Sequence, residues 1–321
     1  NKGVIKNLSE IRAVGHRVVH GGSDFVESTI INENAIKSIE KYVALAPLHN
    51  PPNLIGIKVL MGLLQDAPQV AVFDTAFHQT IPETAYIYAI PYELYERYGI
   101  RRYGFHGTSH RYISRKAAEI LGKKLHELKM ITCHLGNGCS ITAINQGKSV
   151  DTSMGFTPLE GLPMGTRSGN IDPSLIFFIA KQENLSLEEI EEILNKKSGL
   201  LGVSGVSNDL REIKKEADAG NQRARLAIEI FAYRIKKYVG AYAAVLGGLD
   251  VIVFTGGIGE NADYIRSKVC QGLEFLGVYL DENKNKNPVK WRWIISAENS
   301  RVKVLVIPTR EDLIIAQETL D

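Results

Sequence analysis

Three cysteines in 321 residues, Cys133, Cys139 and Cys270, are too few and too unpatterned for a disulfide framework or a structural zinc site. A reducing compartment fits that scarcity. No unbroken apolar run reaches the roughly 18 to 20 residues of a membrane span, and the opening Asn1-Lys-Gly-Val-Ile-Lys-Asn7 lacks a signal peptide's apolar stretch. The expected setting is cytoplasmic, with no membrane partner. Neither sign of charge dominates: 38 Lys and Arg against 36 Asp and Glu leave a formal +2, too little for a whole-protein field directed at nucleic acid. A Walker loop, Gly-x-x-x-x-Gly-Lys, is absent, as is a full dinucleotide fingerprint.

What is present has the balance of a globular protein, 44% apolar and 23% charged, in a chain longer than one hydrophobic core usually serves. Two domains or one elaborated domain is expected. Short β-branched runs ending in Gly or Asp recur at Ala13-Val-Gly15, Val70–Asp74, Met130–His134, Val251–Thr255 and Val302–Ile307, and read as buried strands presenting polar loops at their ends. Between them lie helical stretches, one opened by a Ser186/Glu189 capping box and another over about Gln222 to Leu246 with Ile228, Phe231 and Ile235 on its apolar face. The class is therefore α/β. Two β-rich runs around Gln146-Gly147 predict an antiparallel hairpin beside parallel strands, hence a mixed sheet.

Two glycine-rich loops follow strands, His134-Leu-Gly-Asn-Gly138 and Thr255-Gly-Gly-Ile-Gly-Glu-Asn261. Glycine lets backbone N–H groups approach phosphate or ribose, although either loop alone also reads as a tight turn. Their repetition hints at duplicated strand and loop units. Arg17, within Gly15-His-Arg-Val-Val-His-Gly-Gly22, and Arg167, within Met164-Gly-Thr-Arg-Ser-Gly169, stand among glycines, a setting suited to an anionic ligand; a lone arginine is more often solvated or ion-paired. Asp74 closes a strand, where open α/β sheets place ligand-contacting groups, and equally well caps the next turn.

Tyr103-Gly-Phe-His-Gly-Thr-Ser-His110 sets His106 where a ring N–H can meet a phosphoryl oxygen, against the ordinary use of a histidine in a local hydrogen bond. His106/His110 and Asp74/His78 have the i, i+4 spacing of a helical zinc chelate. Gly107-Thr-Ser109 is poor helix material and no His-Glu-x-x-His supports the idea, so magnesium is favoured, with Glu311 as an oxygen ligand beyond the strand ending at Ile307. A glutamate offsetting a helix dipole is the plainer alternative.

Asp74-Thr-Ala-Phe-His-Gln-Thr80, Tyr103–His110, His134–Gly138, Thr157-Pro-Leu-Glu-Gly161, Met164–Gly169 and Phe254-Thr-Gly-Gly-Ile-Gly-Glu-Asn261 together resemble the acetate kinases over nearly the whole chain. The resemblance implies the fold of the acetate and sugar kinase, heat-shock chaperone and actin superfamily: two related α/β domains, mixed sheets flanked by helices, and a nucleotide cleft between them. Residues 1–75 would be the remainder of the N-terminal domain, with 312–321 returning to it, and 76–311 the C-terminal nucleotide-binding and dimerisation domain. The family's opening strand, with its Asn-Ala-Gly-Ser-Ser-Ser-Leu-Lys loop, has no counterpart after Asn1, and the C-terminal extension is shortened at Asp321. An incomplete N-terminal domain is thus expected.

By the same resemblance Arg17 and Arg167 hold acetate and the transferring phosphoryl group, His106 hydrogen-bonds that group, and Asp74 and Glu311 serve substrate positioning and Mg²⁺, with Mn²⁺ as a substitute. The nucleotide, ATP or ADP, would meet His134, Leu135, Gly136, Asn137 and Gly138, then Asp209, Leu210 and Arg211 near the adenosine, then Gly257, Ile258, Gly259, Glu260 and Asn261. His49 supports the site, and Val19, Leu48, Phe105 and Pro158 wall the acyl pocket. Arg310 and Asp312 replace the commoner Asn and Glu beside Glu311, so an adjacent cation is expected to weaken metal binding there. A homodimer is implied.

Acetate is already ionised at neutral pH, so its carboxylate needs no general base, and in-line transfer would rest on positioning and charge. Two alternatives stand beside it. One is a kinase for propionate or another short acyl acid, which a branched Val19 disfavours by narrowing the pocket. The other is a non-catalytic actin-like ATP-binding fragment, against which the paired arginines argue.

Overall fold

The computed structural model describes residues 5–46, 49–287 and 293–320. Their strands form two mixed sheets. The first has the order β1-β3-β2, with β1 (Val14–Val18) parallel to β3 (Gln69–Phe73) and the two-residue β2 (Thr29–Ile30) antiparallel to it. The run ending at Gly15 is an under-reading: β1 continues through His16, Arg17 and Val18, because the β3 ladder pairs Arg17 with Val72 and Val18 with Phe73. A β3 buried at every position explains its unbroken Gln-Val-Ala-Val-Phe composition.

The second sheet has the order β6-β5-β4-β7-β8, from β4 (Lys129–Leu135), β5 (Cys139–Asn145), β6 (Lys148–Thr152), β7 (Val251–Thr255) and β8 (Lys303–Val306). β4, β7 and β8 run parallel, whereas β4, β5 and β6 form an antiparallel meander. Gln146 and Gly147, at φ 53° and 81°, make the expected hairpin turn between β5 and β6.

Alternation along these strands supplies both faces with a core. Ile131, Cys133, Ile252 and Phe254 face one side and pack with Phe231, Ile235 and Val239 of the Gln222–Val245 helix. Met130, Val251, Val253 and Leu305 face the other, against Ile113 and Ala117 of the Gly107–Leu121 helix. Phe231 is fully buried among them, so Phe231→Ala would cost about 3–5 kcal/mol through lost contact and cavity. The Ser186/Glu189 capping box is formed with both reciprocal bonds, at 3.2 and 2.8 Å.

The last helix, Glu311–Leu320, lies back across β1 and β3 and beside Gly107–Leu121. A methyl group on Gly15 would stand 2.3 Å from Thr319 Oγ1, which measures how closely helix and strand meet. That return carries Glu311 to the C-terminal ends of β1 and β3. All three cysteines are buried free thiols, and no helix among the described residues is long and apolar enough to cross a membrane.

Candidate active site

Arg17, near the end of β1, reaches the residue that follows β3. Its Nε donates to Asp74 Oδ1 at 3.0 Å and its Nη2 to Asp74 Oδ2 at 2.7 Å, a two-bond clamp on a carboxylate that is 1% exposed. Glu311 Oε2 stands 3.6 Å from the same Nε. The charge of Asp74, with a smaller contribution from Glu311, raises the Arg17 pKa, while Nη1 makes no hydrogen bond to a described residue. Asp74 therefore does not cap the following turn; its side chain serves Arg17 and accepts from Thr108 Oγ1 at 3.4 Å. Burial, helped by the repulsion of Asp74, raises the Glu311 pKa. Arg310, expected to disturb that glutamate, instead donates to Asp312 at 3.1 Å.

His106 sits immediately before the Gly107–Leu121 helix with φ 57°, a left-handed conformation that costs a non-glycine residue of order 1 kcal/mol. Neighbouring backbone holds it there: Gly107 N donates to Asp74 O at 2.9 Å, and a Cβ at Gly107 would come within 2.2 Å of that oxygen. The expectation that Gly107-Thr-Ser109 would not be helical is thus wrong, because the tie to Asp74 and packing on the second sheet outweigh weak propensity. Even so, His106 lies just outside that helix, and both His106 and His110 are engaged. His106 Nδ1 lies 2.9 Å from Ser140 Oγ, and His110 bonds Ser140 and Thr132 at 2.7 Å each. His78 is likewise engaged, with Nδ1 to Ser149 Oγ at 2.9 Å and Nε2 donating to Phe105 O at 3.0 Å.

Arg167 has no carboxylate partner among the described residues. Its Nη1 reaches only Pro158 O at 3.4 Å and Met164 Sδ at 3.8 Å, and burial lowers its pKa. Gly138 marks where it meets His106: a methyl there would lie 3.5 Å from His106 Nε2 and 3.8 Å from Arg167 Nη1. Any side chain at position 138 would occupy the gap between His106 Nε2 and Arg167 Nη1. Burial lowers the pKa of His106 well below its usual 6.5, and the positive charges of Arg17 and Arg167 add to the shift. His49, lowered by burial and then by the same two arginines, is the other histidine in their reach. Phe105 is buried beside His106, and Val19 packs at the edge of the main core. Leu48 lies outside the described residues.

Beside this cluster opens a cleft of about 910 Å³. Eight residues of the expected nucleotide set line it: Gly136, Asn137, Asp209, Leu210, Arg211, Gly257, Ile258 and Asn261. His134, Leu135, Gly138, Gly259 and Glu260 do not. His134 stacks on His106 at 4.3 Å and bonds Ser109 Oγ through Nδ1, so it buttresses the cluster rather than the cleft. Glu260 is turned inward, accepting from Gly256 N at 3.1 Å and Thr309 N at 3.3 Å; it braces the loop, and its burial raises its pKa. The Gly256–Asn261 stretch is itself a short helix and not a loop before one. Four lining residues were not foreseen: Asn208, Lys214, Ala262 and Tyr264. Lys214 follows Arg211 by one helical turn, a spacing that places both on one face and was readable in the sequence.

The sequence profile of the acetokinase family matches residues 1–317. The chain belongs to the acetokinase family. Within it, the acetate kinases of Carboxydothermus hydrogenoformans and Thermotoga maritima are 61% and 62% identical, over 99% of this chain and 80% and 79% of theirs. The crystal structure of the Porphyromonas gingivalis acetate kinase superposes with a TM-score of 0.94 at 52% identity, covering 99% of this chain and 80% of that one. A propionate kinase from Francisella tularensis matches with a TM-score of 0.93 at 51% identity, over 98% and 80%. As an acetokinase-family member the chain is a phosphotransferase of the α/β class with mixed sheets flanked by helices, in a family for which ATP and ADP are co-substrates.

Proposed function

We propose that this chain transfers the γ-phosphoryl group of ATP reversibly to the carboxylate of acetate, giving acetyl phosphate and ADP by direct in-line displacement. One carboxylate oxygen forms the new P–O bond as the bond to the β,γ-bridging oxygen breaks, and that oxygen leaves with ADP. The observation that carries this reading is Arg167, a largely buried guanidinium without a carboxylate partner among the described residues, sharing one gap with His106 Nε2. A cation held in that state favours an incoming anion, because a ligand's negative charge replaces the water it has lost. Arg17, its position set by Asp74, offers Nη1 as a second donor. The cleft lined by Arg211, Gly257 and Asn261 would take the nucleotide, which leads its terminal phosphate towards Gly138.

Glu311 is the group suited to Mg²⁺. Its carboxyl is made reluctant to ionise by burial and by Asp74, a state that a divalent cation relieves. Bound there through oxygen or water, the ion would offset charge on the phosphate oxygens. Mn²⁺ suits the same oxygen donors. The acyl pocket is assigned to Val19, Phe105 and Pro158, with His49 supporting it and Leu48 completing it.

The similarity to a propionate kinase keeps a second substrate in play, because one methylene is worth only about 1–3 kcal/mol in an apolar pocket. Val19 narrows the pocket in favour of acetate. The domain division at residue 75, with 312–321 returning to the first domain, agrees with a Glu311–Leu320 helix lying on β1. A cytoplasmic homodimer completes the reading, and Phe177 and Phe178, at 72% and 61% exposure, supply apolar surface for it.

The test is formation of an acyl phosphate, trapped by hydroxylamine, from ATP and Mg²⁺ with acetate and separately with propionate. Product with acetate at the higher kcat/KM is expected. Nucleotide binding without product from either acid would replace this reading with a non-catalytic nucleotide switch.

A further inference from the structure

Three fully buried side chains line up behind His106. Thr132 Oγ1 lies 2.7 Å from His110 Nδ1, His110 Nε2 lies 2.7 Å from Ser140 Oγ, and Ser140 Oγ lies 2.9 Å from His106 Nδ1. The row ends at the half-buried His106, whose Nε2 is on the side of Gly138 and Arg167. We propose that this row is a one-way chain of hydrogen bonds that holds His106 as its neutral Nε2–H tautomer, making Thr132, His110 and Ser140 positioning residues for the transfer. The inference rests on the reading of His106 as a donor to the moving phosphoryl group.

The direction follows from counting hydrogens. Each hydroxyl has one to give, and each neutral ring carries one N–H. Among the described residues Thr132 Oγ1 has no partner except His110, so its hydrogen goes to His110 Nδ1 or is stranded in a buried site. His110 must then carry its proton on Nε2 and donate to Ser140. The single Ser140 hydrogen is left for His106 Nδ1, which forces the His106 proton onto Nε2. Running the chain backwards strands the Thr132 hydrogen and turns a lone pair of His106 towards the phosphate.

Only neutral rings permit such an order. Burial, with the neighbouring histidines, holds His106 and His110 well below 6.5. His78 provides an internal reference, since its Nε2 meets the Phe105 carbonyl, which can only accept. It must be an Nε2–H tautomer, and it fixes the residue that precedes His106.

Long-range proton–nitrogen correlation spectra of isotopically labelled histidines in the ligand-free protein read the tautomers directly, with His106→Gln and His110→Gln assigning the signals. His106 and His110 are expected to match His78, with Nε2 protonated and Nδ1 bare. A His106 protonated on Nδ1 overturns the proposal. Thr132→Val should mix the His106 tautomers and lower kcat by roughly tenfold, less than loss of the donor itself, with KM for ATP and acetate nearly unchanged. Thr132→Ser should restore both readouts. Ser140→Ala with an unaltered tautomer and unaltered kcat would also sink it. His106→Ala separates this inference from the reading beneath it: near-normal turnover removes the transfer role, and with it the positioning role, even where the tautomer is as stated.

Discussion

Arg17 stands on β1 with its guanidinium clamped by Asp74 at 3.0 and 2.7 Å and Glu311 at 3.6 Å, whereas Arg167, on the 157–169 loop, has a carbonyl and a thioether for neighbours. The positive charges of both arginines help to lower the pKa values of His106 and His49. Their pKa values move in opposite directions, up for Arg17 because of Asp74 and down for Arg167 because of burial. A compensated cation is part of the fold, because its loss would strand a buried carboxylate. An uncompensated one is a standing cost that a ligand removes. On the proposed reading, Arg17 serves both fold and transfer, and Arg167 serves transfer alone.

Arg167→Ala is therefore the sharpest way to break the comparison. Turnover should fall by about a hundredfold or more, while the unfolding free energy from urea titration stays within about 0.5 kcal/mol of the parent, because no buried carboxylate among the described residues is orphaned. A folded variant with near-normal kcat would remove Arg167 from the transfer. Arg17→Ala should affect both properties. Turnover should drop by about tenfold or more, and stability by about 1–3 kcal/mol, because Asp74 would remain 1% exposed without its cation. The double variant Arg17→Ala/Asp74→Ala should regain much of that stability and none of the turnover. Stability losses that simply add would show that the clamp is not the reason for the cost.

Glu311 gives the comparison a pH axis. Its raised pKa means that the folded chain holds this proton more tightly than the unfolded chain does. Taken alone, the group favours folding below the ordinary glutamate range, and that contribution is lost as pH rises through the raised value. In the proposed metal site the ion needs Glu311 as a carboxylate, so the half-saturating Mg²⁺ concentration should climb as pH falls, by about tenfold for each unit below that pKa. Glu311→Gln should bind Mg²⁺ more weakly and with a flat profile. Equal slopes in parent and variant would exclude Glu311 as the titrating ligand.

How far the sequence revealed this site depends on the kind of signal. β-branched runs located β3, β4, β7 and β8 because those strands are buried on both faces. β1 was cut short at Gly15 because His16 and Arg17 carry no apolar signal, although the β3 ladder holds them in place. The helical start at Gly107 was misjudged because it depends on a contact with Asp74, 33 positions earlier, that local propensity does not encode. Glu260 belongs to a recognisable motif, but its inward bonds to Gly256 and Thr309 are tertiary facts. Tyr264 was missed because an aromatic residue three places beyond that motif looks like core until the cleft is seen.

Tyr264 also sets the smallest and most discriminating expectation, since it tests whether the cleft acts separately from the charged cluster. It lines the cleft with Lys214, whose Nζ is 5.3 Å from its ring and also bonds Asp218 at 2.7 Å. An apolar ring against a nucleotide contributes equally to ground and transition states, and losing it weakens binding without touching the chemical step. Tyr264→Ala should raise KM for ATP by about three- to tenfold with kcat unchanged. Lys214→Ala should shift KM by less than about twofold, because Asp218 already matches its charge. Were Tyr264→Ala to lower kcat at constant KM, the ring would be acting on the phosphoryl end, and the separation between a binding cleft and a cluster of charges would fail.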